Sequence, residues 1–204
     1  MKLYFAPGAC SLCPHIVLLE AGIAAQTVQV NLKTHQLPDG GDYYAINPRG
    51  YVPLLELDDG QRITENAAIV QFLADRAPGR GLLPPAGTLE RTRVQEWLAF
   101  VGSELHKGFS PLFNPAMPEE AKAIFKKKLV DRFTWVDQQL AGKSYLMGET
   151  FTVADAYLFV MTGWAGRVGV DIAGLEYLAA HQARMKRRPG VQAALKAEEQ
   201  PKQG

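Results

Sequence analysis

Leu3, Tyr4 and Phe5 form a short apolar run that Pro7-Gly8 cuts off, the mark of a brief buried strand. Leu12, His15, Ile16 and Leu19 then recur at helical spacing over residues 11–21, and Gly22 stops that helix. Residues 27–30 alternate as a second strand. Residues 32–48 are polar and turn-rich, a long connection with room for one short helix. Leu54, Leu55 and Leu57 read as a third strand, with Pro53 tolerated at its start. Asp59-Gly60 is a strong hairpin signal and Arg62-Ile63 begins the return strand. A helix follows from Glu65 to Arg76, with Ala68, Ile69, Phe72 and Leu73 facing inward, and Ala77-Pro78-Gly79 ends it.

That order predicts a small four-stranded mixed sheet with helices on its faces. Residues 78–89 concentrate Pro and Gly, and strand signals largely vanish beyond them. Residues 90–107 carry Val94, Trp97, Leu98, Val101 and Leu105 on one stripe. Residues 119–140 carry Phe125, Leu129, Phe133, Val136 and Leu140 on another. Between Phe151 and Gly166 the only charge is Asp155, so that helix belongs at the centre of its layer. Thr152 and Asp155 have the spacing of a capping box at its start. A last helix is expected over 174–187, broken near Pro189-Gly190. The fold class is α/β plus all-α: a sheet domain over 1–79, a linker over 80–87 and a helical domain over 88–204.

Composition narrows the function classes. The chain has 204 residues, 47% hydrophobic and 21% charged, enough for a substantial core. A formal net charge of +1 supplies no field for nucleic acid or anionic lipid, so neither partner is expected. Pro7 and Gly8 interrupt the first apolar run too early for a signal peptide, and no run is long enough to span a membrane. A cytoplasmic location is therefore expected. Cys10 and Cys13 are the two cysteines, too close in sequence to staple the fold.

Cys10 follows a strand and opens a helix, where free N–H groups and the helix dipole stabilise an anion; a thiol there is expected to be unusually acidic and reactive. Cys13, three residues on, reads either as a resolving partner in a dithiol pair or as an apolar residue packed in the first turn. If the Val52–Pro53 bond is cis, the Val52 amide and carbonyl stand open to an extended peptide; a trans edge proline is the alternative. Thr64-Glu65-Asn66 opens a helix whose N–H groups suit a ligand carboxylate, with Glu65 suited to an ammonium; a plain capped start is the competing reading. Ala99, Gly102, Ser103 and His106 share one face, with Lys107 beside it, which reads as a groove or as a close helix contact. His15 is expected to cap or pack the first helix, and His35 and His181 to be solvated. Lys126-Lys127-Lys128 reads as a solvated face. The histidines are too scattered for a metal site, and no phosphate loop occurs.

Taken together, KLYFAPGACSL, NPRGYVPLLELDDG, ITENAAIVQFLAD, EWLAFVGSELHKGFSPLF and FTVADAYLF resemble the bacterial beta-class cytosolic glutathione S-transferases over essentially the whole chain. The resemblance implies a thioredoxin-like glutathione-binding domain, a helical domain for a small hydrophobic electrophile, and a homodimer, with glutathione as co-substrate and no other cofactor. It implies catalytic roles for Cys10, His106 and Lys107. It implies glutathione contacts from Cys10, His35, Val52, Pro53, Glu65, Asn66, Ser103, Glu104, Leu105 and His106, with Tyr4 and Ser11 ranked below Cys10 as reactive groups. His35 stands where relatives often have lysine, Ala99 where some have asparagine, and Asn66 where Gly or Ser is common. Cys13 replaces a residue that is not cysteine in many relatives. The alternatives are a glutathione-dependent thiol–disulfide oxidoreductase or reductive dehalogenase using Cys10 and Cys13, and a non-catalytic carrier on the same scaffold.

Overall fold

The computed structural model describes residues 1–199. Strands β1 (Lys2–Phe5), β2 (Gln26–Gln29), β3 (Leu54–Glu56) and β4 (Arg62–Thr64) form one sheet in the order β2-β1-β3-β4. β1 runs parallel to β2 and antiparallel to β3, which pairs antiparallel with β4. Helix α1 (Leu12–Ala21) makes the crossover that a parallel β1–β2 pair requires. The mixed four-stranded sheet expected from the alternation is the one found.

The period of two divides β1 between both faces. Tyr4 clusters with Ala6, Val30, Tyr43, Val52 and Leu54 on one side. Phe5, one residue on, turns to the other side, where its ring meets His15 of α1 at 5.8 Å. α1 packs there against α2 (Asn66–Asp75). The polar connection holds one short 3₁₀ turn, Tyr43–Ala45, whose Asp42 cap accepts the Tyr44 N–H at 2.9 Å.

The described residues divide into two compact units, Met1–Leu82 with Arg188–Glu199, and Leu83–Arg187; residues 200–204 of the expected helical domain lie outside the described residues. The last helix, α8 (Pro189–Glu199), therefore groups with the sheet, whereas residues 88–204 were expected to form the helical domain together. The helix expected to end near Pro189-Gly190 does end at α7 (Glu176–Lys186), but a new helix starts there. Proline at a first helical position loses no intrahelical hydrogen bond, so it begins α8 rather than ending α7.

The second unit is helical: α3 (Leu89–Phe100), the three-residue α4 (Lys107–Phe109), α5 (Glu119–Leu140), α6 (Val153–Trp164) and α7. Between α3 and α4, Val101–His106 winds as a wider π-helical turn. That turn shifts the helical register, so residues 99, 102, 103 and 106 do not hold the single face that ordinary spacing implies. α6 is buried along almost its whole length, as its missing charges predict. Its capping box is present: the Asp155 carboxylate accepts from the Thr152 N–H at 2.9 Å and the Thr152 hydroxyl at 3.0 Å. The same carboxylate accepts the Leu146 N–H at 2.8 Å and lies 3.0 Å from His181 Nε2. His181 is thus fully buried, contrary to the solvated position expected of it. Among the described residues no helix is long and apolar enough to cross a membrane.

Candidate functional site

β1 delivers the chain to a tight turn over Ala6–Cys10, and α1 leaves it at Leu12. Ser11 fastens this turn. Its hydroxyl accepts the Ala6 N–H at 3.1 Å and donates to the Ala6 carbonyl at 3.2 Å. Ser11 is fully buried and fully used, which fits its low ranking as a reactive hydroxyl. Tyr4 is also buried, and burial raises its phenol above the ordinary value.

Cys10 faces Val52 across the sheet end. Its thiol donates to the Val52 carbonyl at 3.3 Å. The Val52–Pro53 bond is cis, the isomer the sequence left open. Beyond Pro53 the chain enters β3. The start of α2 completes the cluster: Glu65 occupies the cap position and Asn66 is buried behind it. The Asn66 side chain is in hydrogen-bonding reach of the Cys10 sulfur, and its Oδ1 is buried without a partner. The Glu65 carbonyl accepts the N–H groups of Ala68 and Ile69 at 3.1 and 3.0 Å, so the first N–H groups of α2, at Asn66 and Ala67, lie ahead of those bonds.

The electrostatics differ from the expectation. Burial pushes the Cys10 thiol up from 9.0 to about 11. The Asn66 side chain and the backbone N–H groups of Cys10 and Ser11 pull it down, while the Glu65 charge pushes it up. The helix start thus acts in the expected direction, but desolvation outweighs it: Cys10 is only 8% exposed. The acidic thiol read from the sequence is corrected to a neutral one. Cys13 is completely buried, and burial with the neighbouring Cys10 holds its thiol well above 9.0. Its surroundings are those of a packed apolar residue, and they weaken the dithiol alternative.

Glu65 is exposed, and its carboxylate accepts from Arg49 at 3.0 Å. Arg49 also donates to the Thr64 hydroxyl at 2.5 Å. Glu65 itself has φ 70°, left-handed backbone that costs a non-glycine residue about 1 kcal/mol or more, and such outliers cluster at functional sites. His35 is half-buried rather than solvated: its ring stacks on Tyr44 at 4.4 Å and presses on Gly50. A Cβ at Gly50, where φ is +67°, would stand 2.8 Å from both rings. His35 therefore abuts the segment that leads into Val52.

The structure brings Cys10, Val52, Pro53, Glu65 and Asn66 together in the sheet unit. The residues singled out in the helical unit sit on and just after the π-helical turn. Ser103 and Lys107 are exposed and His106 is half-buried. His106 Nδ1 lies 2.6 Å from the Tyr157 hydroxyl, and its ring meets Trp164 edge-on at 5.2 Å. Leu105 is fully buried, and the Glu104 carboxylate pairs with Arg132 at 2.7 Å and Lys128 at 3.4 Å, which hold it below the ordinary carboxyl range. Those two side chains are engaged within their own unit. Arg49 and Tyr157 were missed. Arg49 lies in the quoted NPRGYVPLLELDDG, and Tyr157 lies in the quoted FTVADAYLF, on the helix whose charge is Asp155.

Family models for the glutathione S-transferase N-terminal and C-terminal domains match residues 9–76 and 119–197. A glutathione S-transferase named GstA from Escherichia coli O157:H7 is 47% identical over 198 residues, covering 97% of this chain and 98% of that one. A sphingomonad glutathione S-transferase complexed with glutathione superposes with a TM-score of 0.95 at 45% identity, over 98% of this chain and 100% of the other. A bacterial beta-class enzyme from Sphingomonas chungbukensis gives 0.93 at 46% identity, over 97% of this chain and 98% of the other. With sheet topology, domain order and sequence agreeing from end to end, the chain belongs to the glutathione S-transferase family and stands with its bacterial beta-class members.

Proposed function

We propose that this glutathione transferase binds the tripeptide along the open edge formed by Cys10, Val52 and the start of α2, and joins the whole glutathionyl group to a small hydrophobic electrophile: the thiol gives its proton to solvent, its sulfur bonds to the electrophilic carbon, and that carbon's leaving group, a halide in an aryl halide, departs. The observation that carries the reading is the Cys10 thiol donating to the Val52 carbonyl at 3.3 Å, with the Asn66 side chain on the same sulfur. It supports a backbone at Val52 that pairs with an extended peptide, with a thiol donor next to the peptide's own sulfur. The glutathione complex of the sphingomonad relative supports the same ligand.

The residue roles follow from the chemistry. A neutral Cys10 donates a hydrogen bond to the glutathione sulfur and so favours its thiolate, which attacks the electrophilic carbon. The N–H groups at the start of α2 take the γ-glutamyl carboxylate, and Glu65 takes the ammonium. The Asn66 amide steadies the Cys10 sulfur. His35, beside Gly50, takes the glycyl carboxylate through a ring N–H. Within the helical unit, where Ser103 and Lys107 are exposed, the Tyr157 hydroxyl fixes the His106 ring. The protein acts as a homodimer, the assembly that its resemblance to the beta-class enzymes implies.

Conjugation of glutathione to an activated aryl halide tests the proposal, with glutathione binding measured by calorimetry in parallel. A folded protein that binds glutathione and shows no rate above background would overturn the transferase reading. A folded protein that fails to bind glutathione would overturn the site.

A further inference from the structure

α8 is fastened to the rest of the sheet unit at both ends. At its start, Arg188 forks onto the Glu20 carboxylate of α1 at 3.1 and 2.6 Å. Gly190 makes room for that carboxyl group, because a Cβ there would stand 2.7–2.8 Å from Glu20. At its other end, the buried Glu198 reaches two groups near the start of the chain. One carboxylate oxygen accepts the Gly8 N–H at 3.1 Å, and the other lies 3.1 Å from Nδ1 of the buried His15.

Gly8 is the tip of the turn that presents Cys10, with Ala9 alone between them, and it sits in left-handed backbone at φ 68°. The flanks of the turn are already held by the Ala9 N–H on the Ala6 carbonyl at 3.0 Å and by the Ser11 hydroxyl. The tip is held by Glu198. A buried carboxylate is a costly way to fix one helix against another, since apolar residues of similar size do so without desolvating a charge. The specific thing this carboxylate does is accept a backbone N–H of the thiol turn while His15 braces it.

We propose that Glu198 is a positioning residue for Cys10, acting through Gly8, so that the C-terminal helix sets the reach of the thiol toward the glutathione sulfur. The inference rests on Cys10 meeting that sulfur, as argued above.

The test compares Glu198→Met, which keeps volume but has no comparable acceptor, with Glu198→Gln, which keeps an acceptor for Gly8, and with Glu20→Gln, which loosens only the far end of α8. Two quantities are read in the full chain: iodoacetamide modification of Cys10 by peptide mass, and the glutathione KM against kcat. Glu198→Met is expected to raise both the modification rate and the KM by about fivefold with kcat little changed, the size of one lost hydrogen bond of ordinary net strength. Glu198→Gln is expected to restore both, and Glu20→Gln to leave both within about twofold. A folded Glu198→Met protein matching the wild type, or a Glu20→Gln protein shifted as far, overturns the proposal. If Glu198→Met does not fold, amide exchange of the wild type decides: Gly8 protected in step with α8 supports it, and Gly8 exchanging as fast as the Asp59-Gly60 turn overturns it. Wild-type protein that binds no glutathione would sink the functional reading instead, while the modification and exchange measurements would still judge the role of Glu198 in the turn.

Discussion

The pH at which Cys10 ionises separates two forces that act on one sulfur. The start of α1 and the Asn66 amide favour the thiolate, and burial favours the thiol. With the group at about 11 against an ordinary 9.0, the thiolate fraction at neutral pH falls about 100-fold below that of an unperturbed cysteine. Alkylation follows the thiolate, so Cys10 in the ligand-free protein is expected to react with iodoacetamide about 100-fold more slowly than a small model thiol at neutral pH, and more slowly still because access is restricted.

The assay is a rate profile from about pH 6 to about pH 11, with the modified residue identified by peptide mass so that Cys13 is counted separately. The Cys10 rate is expected to keep climbing past pH 9 toward its inflection near about 11. Asn66→Ala removes the largest opposing contribution and is expected to move the inflection further up. An inflection near neutrality in the ligand-free wild type would refute the reasoning, because the helix start would then have outweighed desolvation. An Asn66→Ala profile moving downward would refute the role given to that amide.

The same shift has a stability consequence. The folded thiol holds its proton more tightly than the unfolded one, so its contribution is complete below pH 9 and is lost as pH rises through about 11. Urea melts across that range should show the wild type losing about 3 kcal/mol more than Cys10→Ala once the thiol ionises in both states. Glu65→Gln, at an exposed pair with Arg49, should change stability by less than about 1 kcal/mol while raising the glutathione KM; calorimetric binding and a urea melt read the two separately. Asp155→Ala should cost about 3–5 kcal/mol, read by urea melt, because it strands the Leu146 and Thr152 N–H groups and removes the partner of buried His181. Gly50→Ala should be destabilising and weaken glutathione binding, since its Cβ meets the His35 and Tyr44 rings at 2.8 Å in left-handed backbone; a thermal melt and calorimetry check both.

What was legible in the sequence is what local chemistry determines. Alternation and turn residues located all four strands. The Thr152–Asp155 spacing located its capping box, and the dearth of charge over 151–166 marked α6 as central. The turn before Cys10, the start of α2 at Glu65-Asn66 and Val52-Pro53 were each visible as local features, and their meeting in one place is what the sheet order supplies. The errors share a different cause. His181 looked solvated because its partner Asp155 lies 26 residues earlier, and only packing shows that a carboxylate waits for it. In the sequence the stretch after Pro189-Gly190 groups with the helical half because strand signals largely vanish beyond residue 89, and nothing local shows which half Arg188 and Glu198 join. Their partners lie 168 to 190 residues away.

Cys10 is the sharpest case of this division. Its place at a helix start is a local fact, and it pulls the pKa in the direction that sequence reasoning assigns. Its burial is a tertiary fact, produced by Val52 and Asn66 arriving from elsewhere in the chain, and it is the larger effect. The reversal alters the chemistry expected of the site. A preformed thiolate would repel the glutathione thiolate it has to stabilise, since two like charges at contact oppose each other's ionisation. A neutral thiol can donate to that anion and gain from doing so, and it needs only to exchange one acceptor, the Val52 carbonyl at 3.3 Å, for another. On this view a high pKa at Cys10 is what lets a cysteine serve where a hydroxyl would also serve, as a hydrogen-bond donor to glutathione sulfur. Replacing it by serine should then preserve much of the conjugation rate, whereas alanine, with no donor, should lose more. Steady-state kinetics of Cys10→Ser and Cys10→Ala decide the matter: equal losses in the two variants would show that a hydroxyl donor does not replace the thiol, and the donor mechanism would fall.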